Sequence, residues 1–271
     1  MKQFTLDIQY KITGIGATSG LILLNNSLFI ISDNSSFLYE YLILENQLNK
    51  IKLDQNSQEN TIKKDKLDFE AITLNDNKLY LFGSGSTKKR ENRYSFDLKS
   101  KEIKHKDLSK IYQKLKQNIG ISDDELNIEG AFFIQKKLYL FQRGNGDNSQ
   151  NGIFVKDENK NINFTKITLP KIQEIEAAFT DAILIDDKIY FLAAVENTTS
   201  TYNDGEILGS FIGCLALNSF ELQFCQQISE THKFEGLTFY SQSENNINFL
   251  LCEDNDTEEL QTNIYKLSLK N

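Results

Sequence analysis

Four glutamates sit where an ordinary core strand would not put them. Glu70 in Leu67-Asp68-Phe69-Glu70-Ala71-Ile72, Glu129 in Asn127-Ile128-Glu129-Gly130-Ala131, Glu176 in Glu174-Ile175-Glu176-Ala177-Ala178 and Glu235 in Lys233-Phe234-Glu235-Gly236-Leu237 share one pattern. Each follows an apolar residue and precedes Gly or Ala and then an apolar or β-branched run. A desolvated, unpaired carboxylate is very costly, so four in register imply that they meet and share a partner. Ser19, in Ser19-Gly20-Leu21, fills the same slot of a fifth run. Carboxylates converging within a few Å cannot all stay ionised without a cation. All-oxygen ligands with no histidine nearby suit Ca²⁺, and Mg²⁺ less, since Mg²⁺ is seldom held in an all-protein cage. The predicted metal ligands are therefore Ser19, Glu70, Glu129, Glu176 and Glu235. The alternative is that each glutamate accepts amide hydrogen bonds from the next repeat and staples the ring without metal.

The elements that position these residues follow from the repeat. After each slot come an apolar strand, a polar turn, a second strand, a polar loop and further strand, as in Glu70–Leu74, Asn75–Asn77 and Leu79–Phe82. The slots are spaced by 51, 59, 47 and 59 residues, and the remaining 55 close the circle. Five units of about four strands each predict an all-β, five-bladed β-propeller. Its blades fall at about 14–64, 65–125, 126–172, 173–231 and 232–271, the last completed by 1–12, within a single domain. The run Phe4–Tyr10 has no other home, so it supplies the fifth blade's outer strand and removes an open edge. One helix, at about 107–119, interrupts the β pattern. Leu108, Ile111, Tyr112, Leu115 and Ile119 fall at helical spacing, Asp107 or Ser109 can cap it, and Gly120 ends it. It is expected to pack as a cap over one rim.

In a propeller the first strand of each blade lines the channel, and the second returns to the rim where the slots lie. The second-strand ends read Ser32-Asp33-Asn34, Gly83 to Arg90, Gln142 to Asp147, Val195-Glu196-Asn197 and Cys252 to Asn255, all charged or glycine-rich. The opposite turns are short, which nominates this rim as the working face. Lys88, Arg90, Arg143 and Glu196 are the candidates for binding a phosphate-bearing small molecule. Asp33, Arg143 and Glu253 are the candidate catalytic groups, with Asp33 or Glu253 orienting water. A protein docked on the polar rim is the alternative partner. Gly83-Ser84-Gly85 is not a Walker loop, and no H-E-x-x-H, G-x-S-x-G or C-x-x-C sequence occurs.

Composition narrows the field. The net charge of −8 comes from 38 acids against 30 bases with no extended basic block, which argues against nucleic acid as a partner. No apolar run reaches the ~18 residues of a membrane span. The N-terminus has no apolar h-region, and the three cysteines, Cys214, Cys225 and Cys252, read as reduced, buried thiols. A Cys214–Cys225 bridge across a hairpin is the alternative. Together these features predict a cytoplasmic, monomeric protein.

The ring of Ser19, Glu70, Glu129, Glu176 and Glu235 on five blades resembles that of the calcium-activated nucleotidases, the five-bladed apyrase family. The likeness extends to Ser19-Gly20-Leu21, to Ile31-Ser32-Asp33-Asn34, to Lys233-Phe234-Glu235-Gly236 and to the helix with Tyr112, Leu115 and Gly120-Ile121. It implies a channel-centre Ca²⁺ held by the slots, Asp33 as a catalytic-rim carboxylate, Arg143 as a phosphate contact, and hydrolysis of a phosphate ester or anhydride. Glu176 stands where that family has serine, Asn34 replaces a second acid, and the family's tryptophans are absent. Bacterial propellers with a repeated Glu-Gly/Ala box and phytase-like esterase propellers are similar as well.

Overall fold

Four short turns set the first half of each repeat. Two-residue turns join the first and second strands of blades 1 to 4, and their leading residues, Asn25, Asp76, Gln135 and Asp186, hold φ between 53° and 55°. Asn and Asp tolerate this left-handed region better than most residues. In the fifth blade a longer turn replaces it, between Gln242 and Asn246. The computed structural model describes residues 2–144, 150–198, 205–254 and 259–270.

The repeats fold into five four-stranded antiparallel sheets, as the spacing predicts. Blade 1 comprises Thr18–Leu24, Ser27–Ser32, Phe37–Leu42 and Gln47–Lys52, and blade 2 comprises Phe69–Asn75, Lys78–Gly83, Asn92–Asp97 and Ile103–Asp107. Blade 3 runs through Ile128–Ile134, Lys137–Gln142, Gly152–Lys156 and Ile162–Lys166, and blade 4 through Ala178–Ile185, Lys188–Asn197, Glu206–Ala216 and Leu222–Ser229. Blade 5 consists of Phe234–Gln242, Asn246–Glu253 and Gln261–Lys270, with Phe4–Thr13 as its outer strand. That N-terminal strand pairs from Phe4 opposite Leu269 to Thr13 opposite Gln261, which closes the ring.

Each sheet buries both faces, which is why the inner strands are almost continuously apolar. Five apolar clusters result, one per blade interface. Phe29, Ile31, Leu79 and Leu81 join blades 1 and 2. Phe141, Phe179 and Phe191 join blades 3 and 4, with ring centroids 5.2 and 5.1 Å apart in edge-to-face contacts. The helix Ser109–Ile119 does not cover a rim but fills the wedge between blades 2 and 3. There Tyr112 and Leu115 join Phe82, Leu140 and Phe154. Asp107 Oδ1 accepts from the Ser109 amide at 2.7 Å, and Gly120 ends the helix at φ 70°. All three cysteines are free, so the bridge between Cys214 and Cys225 does not form. Gly213, not Cys214, lies opposite Cys225 in the ladder.

Every inner strand carries a bulge at the same depth, and that of blade 5 carries a second between Phe239 and Ser241. The extra residue is Ser19 in blade 1, Glu70 in blade 2, Glu129 in blade 3 and Glu235 in blade 5. A bulge lifts one residue out of the ladder and re-aims its side chain. In blade 4 the bulged residue is Thr180, which corrects the assignment of Glu176 to the ring. Gln173 and Glu174, at φ 50° and 66°, fold the chain into a small hairpin before the inner strand begins. Glu176 ends that hairpin, where its carboxylate accepts from the Leu169 amide at 3.0 Å. The true slots are 51, 59, 51 and 55 residues apart, from 19 through 70, 129 and 180 to 235.

The residue after each slot is small because inner strands crowd at the axis. A Cβ on Gly130 would lie 2.9 Å from the Ala182 amide nitrogen of the neighbouring blade. Gly130→Ala should therefore lower stability by roughly 1–3 kcal/mol, the usual cost of overpacking. Urea unfolding measures this; an unchanged midpoint would mean that blades 3 and 4 can slide apart freely.

Candidate metal centre and its surrounding ion pairs

The slots divide by chemistry. Ser19 Oγ donates to the Phe69 carbonyl at 2.5 Å, and Thr180 Oγ1 donates to the Phe234 carbonyl at 2.7 Å. Each hydroxyl thus caps the residue just before the glutamate slot of the next blade. The three glutamates gather in the channel. Glu70 is influenced by Glu129 and Glu235 as well as by Asp68 and Asp33. Stapling, the alternative to metal, is therefore real at the two hydroxyl slots and does not account for the carboxylates.

The position two before each slot separates the same two classes. Asp68, Asn127 and Lys233 precede the glutamate slots, and Ala17 and Ala178 precede the hydroxyl slots. Each of these polar groups lies just before its inner strand and stands beside a glutamate slot. Asn127 Nδ2 donates to Glu129 Oε1 at 2.7 Å. Lys233 Nζ lies 2.8 Å from Glu235, 3.1 Å from Glu196 and 3.8 Å from Asp254. Asp68 takes φ 55° and meets Arg90 at 2.9 Å and the Ser84 hydroxyl at 2.5 Å.

The rim arginines turn inward. Arg143 bridges Glu129 at 3.1 Å and Glu196 at 2.7 Å, and both it and Arg90 are buried. Neither guanidinium presents a free fork to a phosphate at the surface. Lys88 stays exposed on the turn Lys88–Arg90, away from this network. Glu253 accepts from the Tyr265 hydroxyl at 2.7 Å and pairs with His232 Nδ1 at 2.5 Å. Asp33 pairs with Lys66. Of the second-strand ends, Asn145, Gly146, Asp147 and Asn255 lie outside the described residues.

The charges in and around the channel do not balance. Among the described residues, Asp33, Asp68, Glu70, Glu129, Glu196, Glu235 and Asp254 lie among Lys66, Arg90, Arg143 and Lys233, and buried Asp181, held by the Ala182 and Leu237 amides, adds a further acid near Glu129. Between blades 1 and 2, ligand oxygens of Asp33, Asp68 and Glu70 lie within 4.8 Å of one another. Burial, then Asp68, Glu129, Glu235 and Asp33, push the Glu70 carboxyl well above its ordinary range. Burial and Asp254 outweigh Lys66 and carry Asp33 up to about 7. Asp33 Oδ1 and Glu129 Oε2 are both buried without a hydrogen-bond partner. An orphaned buried acceptor costs roughly 1–3 kcal/mol, more if charged.

Sequence reasoning missed Asp68, Lys66, Lys233, Asn127 and Thr180. The signal for most of them was present: Asp-Phe-Glu, Asn-Ile-Glu and Lys-Phe-Glu against Ala-Thr-Ser and Ala-Phe-Thr align the slots without Glu176. Lys66 carried no such signal, because its position depends on how the blade 1–2 connection crosses the rim.

Glu196 anchors the opposite side of the network. Burial alone would raise its pKa, but Arg143 and Lys233 outweigh burial and hold it at about 2. Its folded value lies below the unfolded one, so its contribution is present above about pH 4.5 and is lost as pH falls toward 2, amounting to about 3 kcal/mol. Glu196→Gln should destabilise the protein at pH 7 and flatten the decline below pH 4.5. Denaturant unfolding of both proteins across pH 2.5–7 checks this, and parallel curves would remove Glu196 from the acid response.

The fold recurs in solved structures of very different sequence. Myxococcus xanthus glutaminyl cyclase is 8% identical, with a TM-score of 0.55, over 100% of this chain and 99% of that one. The major Malassezia sympodialis allergen Mala s 1 is 9% identical, with a TM-score of 0.53, over 96% of each chain. At such identities the likeness concerns architecture alone. No curated protein matches the chain. A family model does match, over residues 14–269: this chain of bulged Glu and hydroxyl slots belongs to the family of unknown function DUF6929.

Proposed function

We propose that this protein is a calcium-binding β-propeller, with the cation held in the channel mouth by Asp33, Asp68 and Glu70. The observation that carries the reading is the convergence of those three carboxylates within 4.8 Å while Glu70 has no hydrogen-bond or ion-pair partner among the described residues. The unpartnered oxygens of Asp33 and Glu129 support it independently. The donor set fits the ion: all oxygen, several carboxylates, no histidine or cysteine, with Asp33 and Glu70 only half-buried. Of the ring first assigned to the metal, Glu70 remains a ligand and Glu129 a near neighbour. Ser19 and Glu235 are engaged by protein groups, and Glu176 lies elsewhere.

A bound Ca²⁺ would supply positive charge to polarise an oxygen of a phosphate ester or anhydride. Beside it, Asp33 is the rim carboxylate able to orient water, since both Glu253 oxygens are taken by Tyr265 and His232, and Lys88 is exposed on the rim turn. A second reading, a non-catalytic platform whose rim docks a protein, is favoured by the inward ion pairs of Arg90 and Arg143. Turnover of a nucleotide and phosphoester panel in Ca²⁺ and in chelator separates the two. Hydrolysis that needs Ca²⁺ supports the enzyme; none in any substrate removes it.

The cation itself is tested by thermal unfolding. A ligand that binds only the folded state raises its stability, by about 2.7 kcal/mol at a hundredfold excess over Kd. Ca²⁺ should raise the melting temperature of the wild type and of Glu176→Gln, and leave Glu70→Gln unchanged. Equal melting of the wild type in Ca²⁺ and in chelator would overturn the metal site.

A further inference from the structure

The connection between blades 1 and 2 delivers Lys66 into the carboxylate cluster from the side. Its ammonium pairs with Asp33 Oδ2, and its charge also bears on Asp68 and Glu70. The side chain is 18% exposed, so it stands at the mouth, between the cluster and solvent. Asp68 is anchored from below by Arg90 and Ser84, both buried. Lys66 has no such second anchor: among the described residues, Asp33 is its one hydrogen-bond partner. One positive charge on a flexible four-carbon stem thus sits where three carboxylates converge.

From this we infer that Lys66 is a tethered counter-ion that competes with the divalent cation for Asp33 and so sets the site's affinity. The inference rests on the cation reading above. Asp33 cannot give its full charge to both partners at once. The ammonium and a divalent ion a few Å apart repel, and at a site near the surface such repulsion is not screened away. The stem lets the ammonium swing toward solvent when a cation takes Asp33, since a lysine head reaches water easily from a half-buried stem. Arg90 cannot yield in the same way, because its guanidinium is enclosed. Lys66 therefore keeps the site compact without the ion and weakens it toward the ion. Once displaced, it leaves an ammonium beside the cation, able to hold an oxyanion ligand.

Calorimetric titration of the full chain with CaCl₂ tests the competition. Lys66→Met should bind Ca²⁺ at least tenfold more tightly than wild type, and Lys66→Arg should bind no more tightly than wild type. Amine acetylation read by peptide mass tests the swing: Lys66 should be modified faster in Ca²⁺ than in chelator, with Lys88 as an unchanging control. Equal Ca²⁺ affinity of wild type and Lys66→Met, or slower Lys66 acetylation in Ca²⁺, would overturn the inference while leaving the cation site intact. Failure of wild type and Lys66→Met alike to bind Ca²⁺ would instead overturn the site and the inference with it. Binding by Lys66→Met alone would support both.

Discussion

Everything near the axis of this propeller answers one constraint: carboxylates brought out of water must be compensated. Closing five sheets around a channel forces five inner strands together, and three of them carry a glutamate at the bulge. The protein compensates two of the three itself. Glu129 receives Arg143 and Asn127, and Glu235 receives Lys233. Those cations also fix Glu196, so the side of the channel formed by blades 3, 4 and 5 is a continuous ion-pair network. Replacing one member of such a network leaves its partner buried and uncompensated, which costs far more than the net value of the pair.

The remaining side, between blades 1 and 2, is built differently. Asp33, Asp68 and Glu70 outnumber Lys66 and Arg90, and Glu70 receives neither. The same asymmetry runs through the slot chemistry. Ser19 and Thr180 make neutral hydrogen bonds to carbonyls and need no charge partner, so the ring holds two stapled positions and three charged ones. Between blades 1 and 2, by contrast, three carboxylates converge on one place near the mouth. A site open on one side and rigid on the other suits a hard cation that keeps some of its water.

The rim residues illustrate how burial redirects chemistry. As isolated surface groups, Arg90, Arg143, Glu196 and Glu253 would be plausible phosphate and water handlers. Each is instead folded under the rim and bound to a partner of opposite charge or to a hydroxyl. Among the described residues, Asp33 and Glu70 are the carboxylates that combine partial exposure with convergence on a common point.

The sequence by itself determined the blade number, the closure by the N-terminal strand, the helix and the fact that glutamates meet at the axis. These follow from period, alternation and the anomaly of a charge inside an apolar run, all of which are local properties of the chain. It misplaced the fourth slot because Glu174-Ile175-Glu176 copies the motif without copying the bulge. The left-handed turn at Gln173 and Glu174 removes that segment from the inner strand. Only the tertiary structure decided which carboxylate is paired with which cation. Lys233 lies two residues from Glu235, whereas Arg143 reaches Glu196 from another blade and Lys66 crosses from a connection to meet Asp33. Charge partners are set by distance in space, and blades separated by fifty residues in sequence become neighbours only when the ring closes.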